Sequence, residues 1–151
     1  MNDEVRQRAE ARRWFAIAER DMSTAEHCLG AVPPLLESAA YFCEQAAEKL
    51  MKGLLVAAAC PFPKTHNLKD LASRTVPLYP DLDESLRRVQ PWTIWGFAYR
   101  YPFEEEQEAS SVPSARELKE AVQHLQALRN MVDEELQGEP PRANTHRGNC
   151  T

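Results

Sequence analysis

The chain has 151 residues, the length of one domain, and its 43% of hydrophobic and 27% of charged residues are ordinary for a soluble protein with a core. The 18 basic and 23 acidic residues leave a net charge of −5, which argues against a general nucleic-acid coat but not against a local basic site. Five glycines are few for a β-rich fold, so the composition favours helices. The charged start and the lack of a long apolar run predict a cytoplasmic protein whose thiols are reduced, without a membrane span.

The first predicted helix covers about residues 5–29, and Gly30 is expected to end it. Its apolar residues recur every three or four positions and form one stripe: Ala11, Phe15, Ala18, Met22, Ala25 and Leu29. A second long helix follows Pro33 and Pro34 and ends before Pro61. Its inward stripe is Leu36, Ala40, Cys43, Ala47, Leu50, Leu54 and Ala57. The short connection between these two helices predicts antiparallel packing.

Two short helices are predicted next. Leu68 and Leu71 are the apolar anchors of the first one. Asp81 and Glu84 have the spacing of a capping box, which predicts that the second short helix starts at Asp81, and Pro91 is expected to end it.

Residues 91–102 form an aromatic segment that contains Trp92, Trp95, Phe97, Tyr99 and Tyr101. Stacking on nucleic-acid bases is one interpretation of this composition. However, Arg100 is the one basic residue in the segment, and an acidic run at residues 104–108 follows it. Core packing or a dimer interface is therefore the better interpretation, and the acidic run is expected to be a solvated loop.

The last predicted helix starts near Ser114, which forms a capping box with Glu117, and ends at Gly138. Its inward residues are Leu118, Ala121, Leu125, Leu128, Val132 and Leu136. Residues 138–151 have no apolar periodicity and are expected to be a disordered tail. The sequence thus predicts an all-α, antiparallel up-down bundle over residues 5–137, with three long helices and two short ones.

Three short motifs occur in order along the chain: YFCEQAAEK at residues 41–49, KTHNL at residues 64–68 and RYP at residues 100–102. Together they resemble the HEPN domain family, and the similarity extends from about Trp14 to Leu136. The resemblance implies a helical bundle, usually a homodimer, that is often paired with a minimal nucleotidyltransferase in systems of the toxin–antitoxin type. Some family members are metal-independent endoribonuclease toxins, whereas others bind nucleotides.

The RNase members of the family carry an arginine followed, after four to six residues, by a histidine on a late helix. Arg116 and Arg129 have no histidine at that distance. Arg20 and His27 do fit the spacing, but they lie on the first helix, opposite its apolar stripe. We therefore assign no catalytic residue and expect that the chain is not an RNase. A metal-independent endoribonuclease with a non-standard site and a plain interaction module are the two alternatives.

A second stripe on the second helix consists of Tyr41, Gln45, Glu48 and Lys52, spaced four, three and four residues apart. One interpretation is a solvated face, in which Glu48 and Lys52 form a favourable pair one turn apart. The other is a polar surface that meets a dimer mate or a ligand, because the stripe falls on the family's signature stretch. Both interpretations are open at the level of the sequence.

Lys64, His66, Arg100 and Tyr101 belong to the other two motifs and form a hypothetical site for a nucleotide or RNA phosphate. Arginine binds phosphate through two parallel contacts, and tyrosine can stack on a base. The alternative is that His66 bonds a nearby carbonyl group and serves only the local structure. The sequence has no metal-ligand cluster, P-loop or dinucleotide glycine motif, so we predict neither a metal nor a cofactor.

Overall fold

A computed structural model describes residues 2–62, 64–99 and 112–138. These residues form five α-helices and no strand: α1 (Asp3–Gly30), α2 (Leu36–Ala57), α3 (Leu68–Thr75), α4 (Asp83–Val89) and α5 (Ala115–Gln137). Two short 3₁₀ segments, Pro80–Leu82 and Gln90–Gly96, precede and follow α4. The all-α fold with three long and two short helices is therefore confirmed. In the described part of the chain, no helix is both long and apolar enough to cross a membrane.

The packing of α1 against α2 is the largest contact in the bundle and runs antiparallel. The ring of Phe15 lies directly over Gly53, and a Cβ atom at that glycine would overlap it. At the other end of the pair, the backbone N–H of Leu35 donates to the carbonyl oxygen of Cys28 at 2.9 Å. The predicted stripe of α1 is buried as far as Ala25, and α1 ends at Gly30 as expected.

The helix α2 lies at the centre of the bundle. Its predicted apolar stripe is buried from Ala40 to Leu54. Three charged side chains of the same helix are buried as well: Glu44, Glu48 and Lys52. A helix that is enclosed on its polar side as well as its apolar side must be covered by elements from elsewhere in the chain.

The start of the second short helix differs from the prediction. Asp81 does not cap α4, because Pro80 has already begun a helical turn whose last residue, Leu82, precedes α4. Proline at the first position of a turn loses no hydrogen bond, and its fixed φ angle favours the turn. The end of this helix agrees with the prediction, because α4 ends at Val89, two residues before Pro91, which lies at the start of the second 3₁₀ segment.

The last helix has the predicted boundaries. Ser114 accepts a hydrogen bond from the backbone of Glu117 at 3.1 Å, and the Glu117 side chain bonds back to Ser114, which confirms the capping box. The inward residues from Leu118 to Val132 are buried. Gly138 is the C-cap, and the predicted tail beyond it lies outside the described residues, as does the acidic run at residues 104–108.

Candidate functional site

The polar stripe of α2 contains a buried ion pair, Glu48 and Lys52. Glu48 is 1% exposed and Lys52 is 7% exposed, so the interpretation of this stripe as a solvated face is wrong for both residues. The Lys52 ammonium donates to Oε1 of Glu48 at 2.6 Å. Its position is fixed further by two aromatic rings, Trp14 of α1 and Phe62 of the segment after α2, each with its centroid 5.8 Å from Nζ. Lysine over an aromatic face gains a cation–π attraction, which is stronger where water is excluded.

His66 extends the buried pair to the protein surface. Its Nδ1 lies 3.0 Å from Oε2 of Glu48, so both carboxylate oxygens of Glu48 have a partner. The His66 side chain is 78% exposed, in contrast to the two residues beneath it. The loop is held there because Asn67 caps α3 through the backbone N–H groups of Lys69 and Asp70. His66 therefore bonds the side chain of Glu48 on α2, and not the nearby carbonyl group that was the alternative prediction.

The carboxylate of Glu48 stays ionised in this setting. Burial by itself raises its pKa, but the hydrogen bond from Lys52, the nearby charge of Lys49 and the hydrogen bond from His66 together lower the pKa below its ordinary value of 4.5. An ionised carboxylate can only accept hydrogen bonds. Oε2 of Glu48 is therefore the acceptor in its contact with His66.

The polar side chains of α2 that precede Glu48 are also hydrogen-bonded to one another. The Lys49 ammonium donates to Oε1 of Gln45 at 2.9 Å, and the Gln45 amide donates to Oε2 of Glu44 at 2.8 Å. Glu44 is fully buried because the second 3₁₀ segment crosses over it at Gly96, where a Cβ atom would come within 2.7 Å of its carboxylate. Tyr41 is half-buried and packs edge-on against the neighbouring Phe42 ring, with centroids 5.2 Å apart.

Glu44 and Asp21 also belong to this region, although neither was predicted from the sequence. Asp21 of α1 is 8% exposed. Burial raises the pKa of Asp21, the charges of Lys49 and Arg20 oppose this shift, and the charge of Glu48 adds to it. A signal for Glu44 was present, because it stands four residues before Glu48 and so lies on the same face of α2.

The hypothetical phosphate site is described only in part. Lys64 is exposed on the same loop as His66, whereas Arg100 and Tyr101 lie outside the described residues. The second 3₁₀ segment does approach this loop, because the hydroxyl of Thr93 accepts from the backbone N–H of Leu68 at 3.1 Å. The segment thus starts beside the loop of Lys64 and His66, but its described part then runs towards the start of α2, over Glu44 at Gly96 and beside Tyr41 at Tyr99.

The arginines of the late helix are paired with carboxylates. Arg129 bonds Glu19 of α1 at 2.9 Å and Asp133 of its own helix at 2.6 Å. Arg116 bonds Glu120 at 3.4 Å. Their guanidinium groups are thus partly neutralised within the molecule.

The first-helix pair is exposed. Arg20 and His27 both lie on the surface of α1. Nδ1 of His27 lies 2.7 Å from the carbonyl oxygen of Ser23, so this histidine is bonded to its own helix.

The aromatic segment is divided between core and surface. Trp92 and Trp95 stack with centroids 5.1 Å apart and pack against the core, which confirms core packing for these two residues. Ile94 and Phe97 are 46% and 57% exposed. Trp95 and Tyr99 also line a shallow groove with Tyr41, so the exposed part of the segment continues into the surface of α2.

The fold and this region define an all-α bundle whose central helix carries a buried polar network reaching the surface at a histidine. No three histidine, cysteine, aspartate or glutamate side chains among the described residues are grouped to hold a metal ion. A sequence model described as the HEPN domain matches residues 11–136, and the chain therefore belongs to the HEPN domain family. The comparisons find no matching curated protein and no matching solved structure.

Proposed function

We propose that this HEPN-domain protein is a dimeric helical module that binds the phosphate of a nucleotide or RNA at the loop of Lys64 and His66. In this proposal it works as the partner of a nucleotidyltransferase in a system of the toxin–antitoxin type. The observation that carries the ligand part is the exposed His66, anchored through Glu48 to the buried Lys52.

The energetics of the buried pair support this interpretation. Burying a carboxylate and an ammonium costs several kcal/mol per ion, and replacing such a pair by apolar residues is often neutral or stabilising. Stability alone is therefore a weak reason for Glu48 and Lys52 to lie in the core. The ion pair can also hold one exposed imidazole in a fixed orientation, which a pair of apolar residues could not do.

The charge around His66 suits an anion. Lys64 stands two residues before it, and Arg100 follows in sequence a segment whose Thr93 accepts from the backbone N–H of Leu68 beside the same loop. Both cations can attract a phosphate group. A local site of this kind is compatible with the net charge of −5.

The dimer part of the proposal draws on the exposed aromatic surface. Ile94 and Phe97 present large apolar side chains to solvent beside the half-buried Trp95 and Tyr99. Aromatic residues at the centre of a patch are typical of protein interfaces. Light scattering at micromolar concentration tests this part, with twice the chain mass of 17.2 kDa as the expected result and a monomer as the contradicting one.

An RNase activity is the less favoured candidate. Arg116 and Arg129 already bond carboxylates in this fold, and neither has a histidine at the family spacing. Arg20 and His27 keep the spacing, but they lie on α1 and His27 bonds its own helix.

The ligand part is tested by calorimetric titration of nucleoside monophosphates and a short RNA into the wild type, His66→Ala and Arg100→Ala. Arg100→Ala is expected to lower the binding free energy by about 1.5–3 kcal/mol, the scale of a hydrogen bond to a charged group. His66→Ala should also weaken binding. His27→Ala is the matched control, because it removes an exposed histidine that bonds only its own helix. Equal binding by all four proteins, or no binding by the wild type, would contradict the proposal.

The partner part needs a separate experiment. We expect a nucleotidyltransferase gene beside this one, and co-expression of the two proteins followed by size-exclusion chromatography should give a stable complex. Two separate peaks at micromolar concentration would remove the claim of partnership while leaving the ligand part intact.

A further inference from the structure

The two ring nitrogens of His66 have different surroundings. Nδ1 lies 3.0 Å from Oε2 of Glu48, yet the His66 side chain as a whole is 78% exposed. Nε2 is separated from Nδ1 by one ring carbon. A ligand can therefore approach Nε2 from solvent while Nδ1 stays on the carboxylate.

Lys52 determines which atom of residue 48 faces the imidazole. Its ammonium lies 2.6 Å from Oε1 and 5.8 Å from the ring centroids of both Trp14 and Phe62. An ammonium group carries only donors, so the terminal atom of residue 48 beside it must be an oxygen. The other terminal atom is then turned towards His66.

We propose that Glu48, held by Lys52, is a positioning residue that fixes neutral His66 as the Nδ1–H tautomer and reserves Nε2 for the ligand. On protonation, Nε2 becomes a second donor and can bond a phosphate oxygen without any movement of the ring. The statement about the ligand rests on the proposed function, whereas the statement about the tautomer concerns the protein alone. Fixing the tautomer of one histidine nitrogen through a bond to the other is a common role of carboxylates beside functional histidines.

The tautomer can be measured directly in the unmodified protein. In ¹⁵N NMR spectra of the side chains at mildly alkaline pH, neutral His66 should give the signature of Nδ1–H with an unprotonated Nε2. Its signals are assigned by their loss in His66→Ala. His27 serves as an internal reference, because its Nδ1 lies 2.7 Å from a carbonyl oxygen, which also accepts only. An Nε2–H signature for His66, or the tautomer mixture of the unfolded chain, would overturn the proposal.

A substitution at position 48 should invert the tautomer. In Glu48→Gln, Lys52 must keep the amide oxygen, so the NH₂ group faces Nδ1 and forces it to accept. His66 is then expected to show the Nε2–H signature, while His27 does not change. A contact that served only the local structure would not change the tautomer of His66 while leaving that of His27 as it is. If His66 keeps the Nδ1–H signature in the folded variant, the role given to Lys52 is wrong.

A second variant covers the case in which the first one does not fold. If Glu48→Gln does not fold, Glu48→Gln combined with Lys52→Met removes both buried charges, and His66 should then show the mixture of the unfolded chain. The tautomer is read without ligand, so it separates the two proposals. A fixed Nδ1–H tautomer without phosphate binding would refute only the proposed function, and phosphate binding with an unfixed tautomer would refute only the role of Glu48.

Discussion

Replacing Lys52 by methionine should destabilise the protein far more than a typical surface substitution. Methionine is close to lysine in length and can occupy the same space beside the rings of Trp14 and Phe62. The lost cation–π attraction, about 2 kcal/mol where water is excluded, is largely offset by sulfur–aromatic contacts of about 0.3–1.5 kcal/mol each. What remains is the cost of leaving Glu48, which is 1% exposed, without its partner at 2.6 Å.

The expected magnitude follows from that cost. Removing one partner of a buried ion pair costs about 3–5 kcal/mol, because the other charge stays buried. Lys49 lies 3.8 Å from the same carboxylate oxygen and His66 keeps its bond to the other one, so the lower end of this range applies. We therefore expect Lys52→Met to lower the free energy of unfolding by about 3 kcal/mol. Urea denaturation followed by circular dichroism measures this change as a shift of the midpoint at constant slope.

Arg87→Met provides the matched control for burial. Arg87 and Asp83 also stand four residues apart on one helix and bond at 2.8 Å, but their side chains are 72% and 39% exposed. Exposed pairs contribute little to stability, so this variant should unfold close to the wild type. A Lys52→Met variant as stable as Arg87→Met would refute the account of a desolvated pair. Combining Lys52→Met with Glu48→Gln should restore most of the lost stability, because no unpaired charge remains buried.

Three further predictions concern packing, pH and activity. Gly53→Ala should destabilise the bundle by about 1–3 kcal/mol through overpacking. Gly30→Ala should not, because its Cβ atom would have nothing within 4 Å, and thermal unfolding of the two variants tests this difference. Because folding lowers the pKa of Glu48, this carboxylate contributes stability above its ordinary value of 4.5, and the contribution is lost as the pH falls through the lower folded value. Urea midpoints between pH 3 and about 6 should show this loss in the wild type but not in Glu48→Gln. Metal-free incubation of the purified chain with mixed RNA should give no appreciable cleavage, and cleavage that disappears in Arg20→Ala or His27→Ala would show that this pair is catalytic.

The helices were predictable because their signals are local. The three-and-four spacing of the stripe of α1 and the capping box at Ser114 each depend on residues within a few positions of one another. The predicted start of α4 was wrong, and the reason is local as well. The spacing of Asp81 and Glu84 fits a capping box, but Pro80 begins the helical turn before Asp81 can act as its cap.

The burial of the polar stripe could not be read from the sequence. Glu48 and Lys52 have the same spacing whether they form a solvated pair or a buried one. The difference is made by Trp14 and Phe62, which reach Lys52 from α1 and from the segment beyond α2. Likewise, the contact between His66 and Glu48 joins residues 18 positions apart through a loop whose path periodicity does not predict.

The measurement that tests the central claim most directly is a titration of the full chain with a nucleoside monophosphate, followed through the imidazole ¹⁵N resonances. We predict that the Nε2 resonance of His66 moves in a saturable manner, while Nδ1 keeps the proton that it donates to Glu48 and the resonances of His27 stay in place. Equal small shifts of His66 and His27, or no shift of His66 at saturating nucleotide, would show that the anchored histidine is not a phosphate-binding group.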